Sequence, residues 1–209
     1  MSESGSTAAR RKGATRPLDT GTPPDVLDAG LSVFARRGYD KATINEIGEA
    51  LEIRGPSLYN HISSKYQLLV DIVTQYMVGV IDEQEQILAA GNDPVEQLRG
   101  VVDHHVQGNA RDPRQSFVAT REMIVLREPE RGRMVELRAR WERNLREVIE
   151  RGVAEGVFAT PDPVIATRAI IGMGMHVSMW FKNGGPLTPD EISSLYQEYA
   201  LQLLNAPRD

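Results

Sequence analysis

Apolar residues recur every three to four positions along almost the whole chain, the spacing of one buried helix face. Leu27, Leu31, Phe34 and Ala35 share such a face, with Pro23 or Pro24 suited to the first turn before them and Gly38 after them. Thr43-Ile-Asn-Glu46 has the form of a capping box and predicts a second helix with Ile44, Ile47 and Leu51 inward. A turn at Glu52 and Ile53 leads to a short third helix, Gly55 to His61. Ser64-Lys-Tyr-Gln67 reads as another capping box, opening a long helix with Leu68, Ile72, Tyr76 and Val80 on its apolar face.

The second half repeats this grammar. Asp93 and Pro94 restart the chain before Leu98, Val101, Val102, His105 and Val106. Pro113 opens a helix running through Phe117, Val118 and Ile124. Glu130 to Glu155 is charged outside and apolar at Met134, Leu137, Trp141, Leu145 and Ile149, and Gly156 closes it. Pro161 and Pro163 introduce an apolar helix ending near Lys182. Thr188-Pro-Asp-Glu191 is a third capping box, before Ile192, Leu195, Tyr196, Tyr199 and Leu203. The expected fold is all-α, about nine helices with no strand. It divides into a flexible basic tail (1–21), a unit of three short helices (22–66) and a larger helical unit (67–209).

Composition narrows the function. The 209 residues include no cysteine, which excludes disulfides, thiolate metal sites and cysteine nucleophiles. Neither a secretory h-region nor an apolar run of bilayer length is present, so a cytoplasmic protein that does not enter the membrane is expected. No partnered nucleophile, H-E-x-x-H or glycine-rich phosphate loop is visible, so no enzyme chemistry, cofactor or metal is expected. Adjacent His104 and His105 diverge by about 100° on a helix and cannot chelate one ion together. One is expected inward and hydrogen-bonded, the other exposed. His176 reads as a satisfied core histidine. The net charge of −5 argues weakly against nucleic acid, but a global charge hides local basic edges.

One such edge is the stretch Arg54 to Lys65, RGPSLYNHISSK. Only Leu58 and Ile62 in it suit a core. Two short helices joined by a tight turn and braced by a first helix form a helix-turn-helix, whose second helix lies in the major groove. Gly55, Pro56 and Ser57 would let the backbone approach DNA closely. Tyr59 and His61 would reach phosphates, and Asn60 a base edge or a phosphate. Thr43 and Lys65, each at a helix start, would add phosphate contacts. Arg54 is placed to read guanine O6 and N7. Arg10, Arg11, Lys12 and Arg16 form either a solvated tail or a minor-groove arm, and in both cases add sequence-independent affinity.

Gly38-Tyr39, Thr43-Ile44 with Ile47, and Leu58-Tyr59-Asn60-His61 followed by Ser64-Lys65 resemble the TetR family of bacterial transcriptional repressors. Trp180 to Thr188, WFKNGGPLT, is similar to a turn in the subset that governs fatty-acid and steroid breakdown and answers to acyl-CoA thioesters. The resemblance implies a homodimeric repressor on a near-palindromic double-stranded operator, released by a small amphiphilic effector, with a long-chain acyl-CoA as the leading candidate. Two departures stand out. Glu52 occupies a turn position that commonly holds glycine, and Arg54 one that often holds serine.

Two further sets of residues fit that expectation. Val164 to Phe181 is apolar nearly all round. Its small residues Gly172, Gly174 and Ser178, with Leu195, Tyr196 and Tyr199 of the next helix, would form a four-helix dimer interface. Phe117, Val118, Trp141, Met173, Met179 and Trp180 would line an effector cavity, with Arg121 and Glu122 as polar anchors. The arginines from Arg138 to Arg146 would meet an anionic head group or form a solvated face. Rival readings are a xenobiotic-sensing repressor of the same fold, a DNA-binding protein without an effector, and a helical enzyme or carrier with a fortuitous helix-turn-helix.

Overall fold

The computed structural model describes residues 20–182 and 184–206, and every regular element among them is helical. Eight α-helices and a short 3₁₀ segment make up the expected nine; a second 3₁₀ turn extends one of them. The basic tail with Arg10, Arg11, Lys12 and Arg16 lies outside the described residues, as does Asn183 of the WFKNGGPLT turn.

Helix α1 (Pro24–Arg37) starts on proline and stops where Gly38 takes φ 81° and donates its N–H to the Phe34 carbonyl. Its Gly30 lets α3 come close: a Cβ there would stand 2.8 Å from Leu68 Cδ2. Helix α2 (Ile44–Ala50) begins on the full Thr43/Glu46 capping box. The turn after it carries Glu52 at φ 58°, the left-handed region where glycine costs nothing. That is the physical sense of the departure noted at this position. The 3₁₀ segment Gly55–Asn60 follows, and then α3 (Lys65–Ala89). Only half of the expected Ser64 capping box forms. Ser64 accepts the Gln67 N–H at 3.0 Å, but the Gln67 side chain turns away to donate to Asp71.

Helices α4 (Pro94–Arg111) and α5 (Pro113–Arg121) follow, with α5 passing into a 3₁₀ turn, Glu122–Ile124. Because α5 unwinds there, Ile124 is 87% exposed instead of continuing the apolar face. Helices α6 (Glu130–Ala154), α7 (Pro163–Trp180) and α8 (Pro189–Leu203) complete the chain, α8 opening on the Thr188/Glu191 capping box. His176 is exposed on α7, not in the core.

Two cores hold these helices. The first joins Leu27, Leu31 and Phe34 of α1 to Ile47, Leu58, Ile62 and the start of α3, and takes in Val118 of α5 and Met134 of α6. The second surrounds α4, which packs against α3, α6, α7 and α8. Each fully buried Leu, Ile or Phe contributes about 1.5–3 kcal/mol relative to exposure. The first core therefore cements the helix-turn-helix to α3, α5 and α6, and packing runs across residue 67. The expected boundary there divides roles, not cores.

Candidate DNA-binding surface and ligand cavity

Leu58 and Ile62 are buried in the core that α1 and α3 also fill, and the 3₁₀ segment packs on α2. Arg54, Pro56, Ser57, Tyr59, Asn60 and His61 all remain exposed. The Tyr59 side chain is 55% exposed, with its hydroxyl and ring available to solvent. Thr43 is exposed too, although its hydroxyl already accepts the Glu46 N–H at 3.2 Å and donates to the Glu46 carboxylate at 3.1 Å. Lys41, exposed two residues before it, is a basic group that the motif pattern alone did not single out.

Two residues serve the scaffold in ways the sequence did not reveal. Gly55 is buried, and a Cβ on it would meet Asn45 Oδ1 at 2.1 Å, so glycine is required there for α2 to pack rather than for DNA to approach. The Lys65 ammonium turns inward. It donates to the carbonyls of Tyr39 and Ala42, each at 2.8 Å, and lies 4.4 Å from the Tyr39 ring centre. It braces the α1–α2 corner against α3, which leaves one N–H for any phosphate.

Behind this surface are two adjoining cavities, of about 470 and 190 Å³. Tyr76, Val80 and His105 line both. The larger lies between α1, α3 and α4 and is lined by Leu27, Leu31 and Ile72 among others. The smaller lies between α3, α5, α6 and α7 and includes Ser116, Arg138, Trp141 and Ile171. Protein encloses Tyr76 and His105, and the surface they still present is cavity surface. Burial pushes the Tyr76 hydroxyl up to about 12 and His105 down to about 4, so both are neutral near pH 7. His105 Nε2 lies 3.1 Å from the Ile171 carbonyl, and its Nδ1 lies 3.3 Å from the Asn109 amide nitrogen. The protonated nitrogen is therefore Nε2. His105 is the inward histidine. His104 is not exposed as expected: it meets Glu83 at 3.1 Å, and burial holds it below the usual histidine range despite that carboxylate. Trp141 Nε1 and Asn109 Oδ1 are buried beside the cavities, with no hydrogen-bond partner among the described residues.

Of the five residues expected to bind the effector, Trp141 lines a cavity and four do not. Phe117 lies beneath the Arg121 guanidinium, 4.5 Å from ring centre to Cζ. Arg121 is turned to α1, where it donates to the carbonyls of Phe34 and Ala35 and pairs with Glu122 at 2.7 Å. Met173 packs against the second core. Trp180 is exposed, with its ring near Phe181. Val118 is core and Met179 is exposed. The cavity residues missed by the pattern, His105 and Asn109, are one helical turn apart on the inner face of α4. A polar pair at core register was the available signal.

Helix α5 links cavity to DNA-binding surface. Ser116, Ala119 and Thr120 line the smaller cavity. From the same helix, Arg114 reaches α1 at Ser32 (2.7 Å) and Asp28 (3.0 Å), and Arg121 holds the carboxyl end of α1. Buried Glu122 accepts the Tyr39 N–H at 3.1 Å.

Helices α7 and α8 expose the large apolar side chains Met179, Trp180, Leu195, Tyr199 and Leu203. Gly172 is exposed and Ser178 is half-buried. Tyr196 is half-buried, 6.1 Å from the Tyr199 ring. Gly174 does not belong to this face. It is buried, and a Cβ on it would stand 2.2 Å from the His105 ring. Among the described residues no helix is long and apolar enough to cross a membrane.

A three-helix DNA-binding unit cemented to a larger helical unit with a cavity defines a ligand-responsive regulator architecture. Residues 26–72 match the family described as bacterial regulatory proteins, tetR family, and residues 91–204 match the Tetracyclin repressor-like, C-terminal domain. The second match alone covers more than half of the chain, and the chain belongs to the TetR family of DNA-binding transcription regulators. It is similar to the HTH-type transcriptional repressor KstR2 of Rhodococcus jostii (strain RHA1), with 26% identity over 200 residues, covering 91% of this chain and 94% of the relative. The structure of the ketosteroid transcriptional regulator KstR2 of Mycobacterium tuberculosis matches it with a TM-score of 0.82 at 20% identity, over 95% of this chain and 100% of that one. AibR, solved in complex with isovaleryl coenzyme A and operator DNA, matches with a TM-score of 0.78 at 23% identity, over 87% and 97% of the two chains. At such identities the two structural likenesses show a shared fold.

Proposed function

We propose that this chain is a homodimeric transcriptional repressor that holds a near-palindromic operator and releases it when a small amphiphilic effector fills the paired cavities. One observation carries the reading: α5 both walls a cavity and clamps α1, which packs against α2, the helix on which the recognition segment is seated. The exposed row Arg54, Pro56, Ser57, Tyr59, Asn60 and His61 supplies the groove-facing side. Thr43, Lys41 and the remaining Lys65 N–H add backbone contacts. The apolar face of α7 and α8, with Gly172, Ser178, Leu195, Tyr196 and Tyr199, supplies the twofold interface, and dimerisation sets the two recognition segments on successive turns of the duplex.

The effector works by population shift. It must bind the DNA-free arrangement better than the DNA-bound one, so operator and effector weaken each other equally. An acyl-CoA thioester is the leading effector. The cavities join apolar surface from Leu27, Leu31, Ile72, Val80 and Ile171 to polar groups, as an amphiphile requires, and AibR is a relative in fold solved with such a thioester. Titrating the operator complex with acyl-CoAs of graded chain length, against free coenzyme A, tests this. Release that grows with chain length is expected. Release by planar aromatic drugs and by none of the thioesters would make the protein a xenobiotic sensor instead.

A further inference from the structure

The two cavities differ in charge. The larger opens among Asp28, Asp82, Glu83 and Asp112, with Arg111 in its lining and Arg114 pairing with Asp28 and Asp112 from beside it. Four carboxylates against two guanidinium groups leave this mouth net acidic, so an anionic group is less favoured there. The smaller is lined by a single carboxylate, Glu142, and Arg168 engages that at 2.9 Å. Its other polar side chains, Tyr76, His105, Ser116, Thr120, Arg138 and Trp141, carry no negative charge, and two of them, Arg138 and Trp141, can only donate. Arg138 is half-buried, gives one N–H to the Ala119 carbonyl at 2.8 Å, and has no carboxylate within ion-pair distance among the described residues. A guanidinium in that condition is partly desolvated and only partly compensated, and an anion or carbonyl oxygen would complete its hydrogen bonding. Trp141 lies one turn further along α6, and its indole N–H is buried with no acceptor among the described residues. The Tyr76 hydroxyl, protonated at any ordinary pH, lines the same cavity.

We propose that the smaller cavity receives the oxygen head of the effector, a carboxylate or acyl carbonyl accepted by Arg138 and Trp141, while its apolar chain runs past Val80 and Ile72 into the larger cavity. This rests on the reading of the protein as an effector-released repressor. The head group of a free acid and the carbonyl of a thioester present the same acceptor chemistry. A thioester's coenzyme A would leave by the opening beside exposed Thr120 and Met175, away from the acidic mouth. The head therefore sits against α5 and α6, and Arg121, the anchor suggested by sequence, takes no part.

The test is calorimetric titration of the full chain, without DNA, with decanoate, decanoyl-CoA, decan-1-ol and decyltrimethylammonium. Decanoate, decanoyl-CoA or both should bind saturably and more tightly than the alcohol or the cation, and which of the two binds distinguishes free acid from thioester. Arg138→Met should weaken that binding about tenfold or more and leave the alcohol unchanged, and Arg138→Lys should restore part of it. If Arg138→Met fails to fold, Arg138→Lys and Trp141→Phe carry the comparison, each with a smaller but head-group-selective loss. Equal or tighter binding of the alcohol or the cation, binding of none of the four, or Arg138 variants within twofold of wild type would overturn the proposal. Operator binding by the unliganded protein is measured separately. Its absence would sink the repressor reading and leave the head-group ranking as it stands.

Discussion

At the scale of single residues, Arg54 and Lys65 separate two roles that look alike in sequence. Arg54 is exposed and its side chain has no capping role, so it is free to read a base. Arg54→Ala should relax preference at one position per half-site by about 1–3 kcal/mol, measured against operator variants. Uniform weakening across all of them would make it a phosphate contact. Lys65 spends two N–H groups on the Tyr39 and Ala42 carbonyls. Lys65→Met should therefore lower stability by about 1–3 kcal/mol and shift the salt slope of operator binding by less than one unit. Unchanged stability with a full unit lost from the slope would restore it as a phosphate contact. His105 adds a pH dependence. Its folded value, about 4, lies below the ordinary 6.5, so the unfolded chain takes up a proton that the folded chain refuses. Stability is then complete above about pH 6.5 and falls as pH drops towards 4, by at most roughly 3 kcal/mol. Thermal unfolding at pH 7 and pH 5 should show a smaller drop for His105→Gln than for wild type. An equal drop would assign the acid sensitivity to other groups.

At the scale of helices, the sequence was legible wherever local chemistry set the outcome. Helix starts at Thr43, Asp93 and Thr188, and stops at Gly38 and Gly156, are decided by side chains within a few residues. Facing was harder to read. Every side of α7 is apolar, so its pattern does not say that Gly174 meets His105 while Gly172 looks outward. Arg121 looked like a cavity anchor because it follows an apolar run, but its orientation depends on α1, more than eighty residues earlier. The exposed row of the recognition segment was readable, because a segment held by only Leu58 and Ile62 must leave its other side chains to solvent. This difference in facing yields a paired prediction. Gly174→Asp should destabilise the fold itself, since the side chain has no room beside His105 and would bury a charge. Leu195→Arg, on exposed surface, should leave the monomer folded, split the dimer and abolish tight operator binding. Circular dichroism and sedimentation together check it. A folded Gly174→Asp monomer, or a Leu195→Arg dimer of wild-type affinity, would misplace the interface.

At the scale of the whole molecule, effector and operator communicate through whatever joins the cavities to the recognition segment. One connection is α3, which runs from Lys65 beside that segment to the cavity wall at Tyr76 and Val80. The structure adds a second connection. Helix α3 holds the DNA-binding unit by apolar packing and, at its first residue, by the Lys65 hydrogen bonds to the Tyr39 and Ala42 carbonyls, far from the cavity wall. Helix α5 holds α1 by charged hydrogen bonds at both ends, Arg114 on Asp28 and Ser32, and Arg121 with Glu122 on the Phe34 carbonyl and the Tyr39 N–H. Such bonds are directional and pull α1 along when α5 moves. A ligand beside Ser116 and Ala119 displaces α5 first, so the clamp should carry a large share of the coupling. Arg121→Met would cut the grip at the carboxyl end of α1 without touching the cavity or the recognition segment. Effector affinity of the free protein and operator affinity of the unliganded protein should each stay within a few-fold of wild type. The coupling between them, typically about 1–3 kcal/mol in such proteins, should shrink. Operator titrations with and without saturating effector measure it directly. If the ratio of the two affinities is the same in Arg121→Met as in wild type, the signal travels through α3 and the α5 clamp serves only stability.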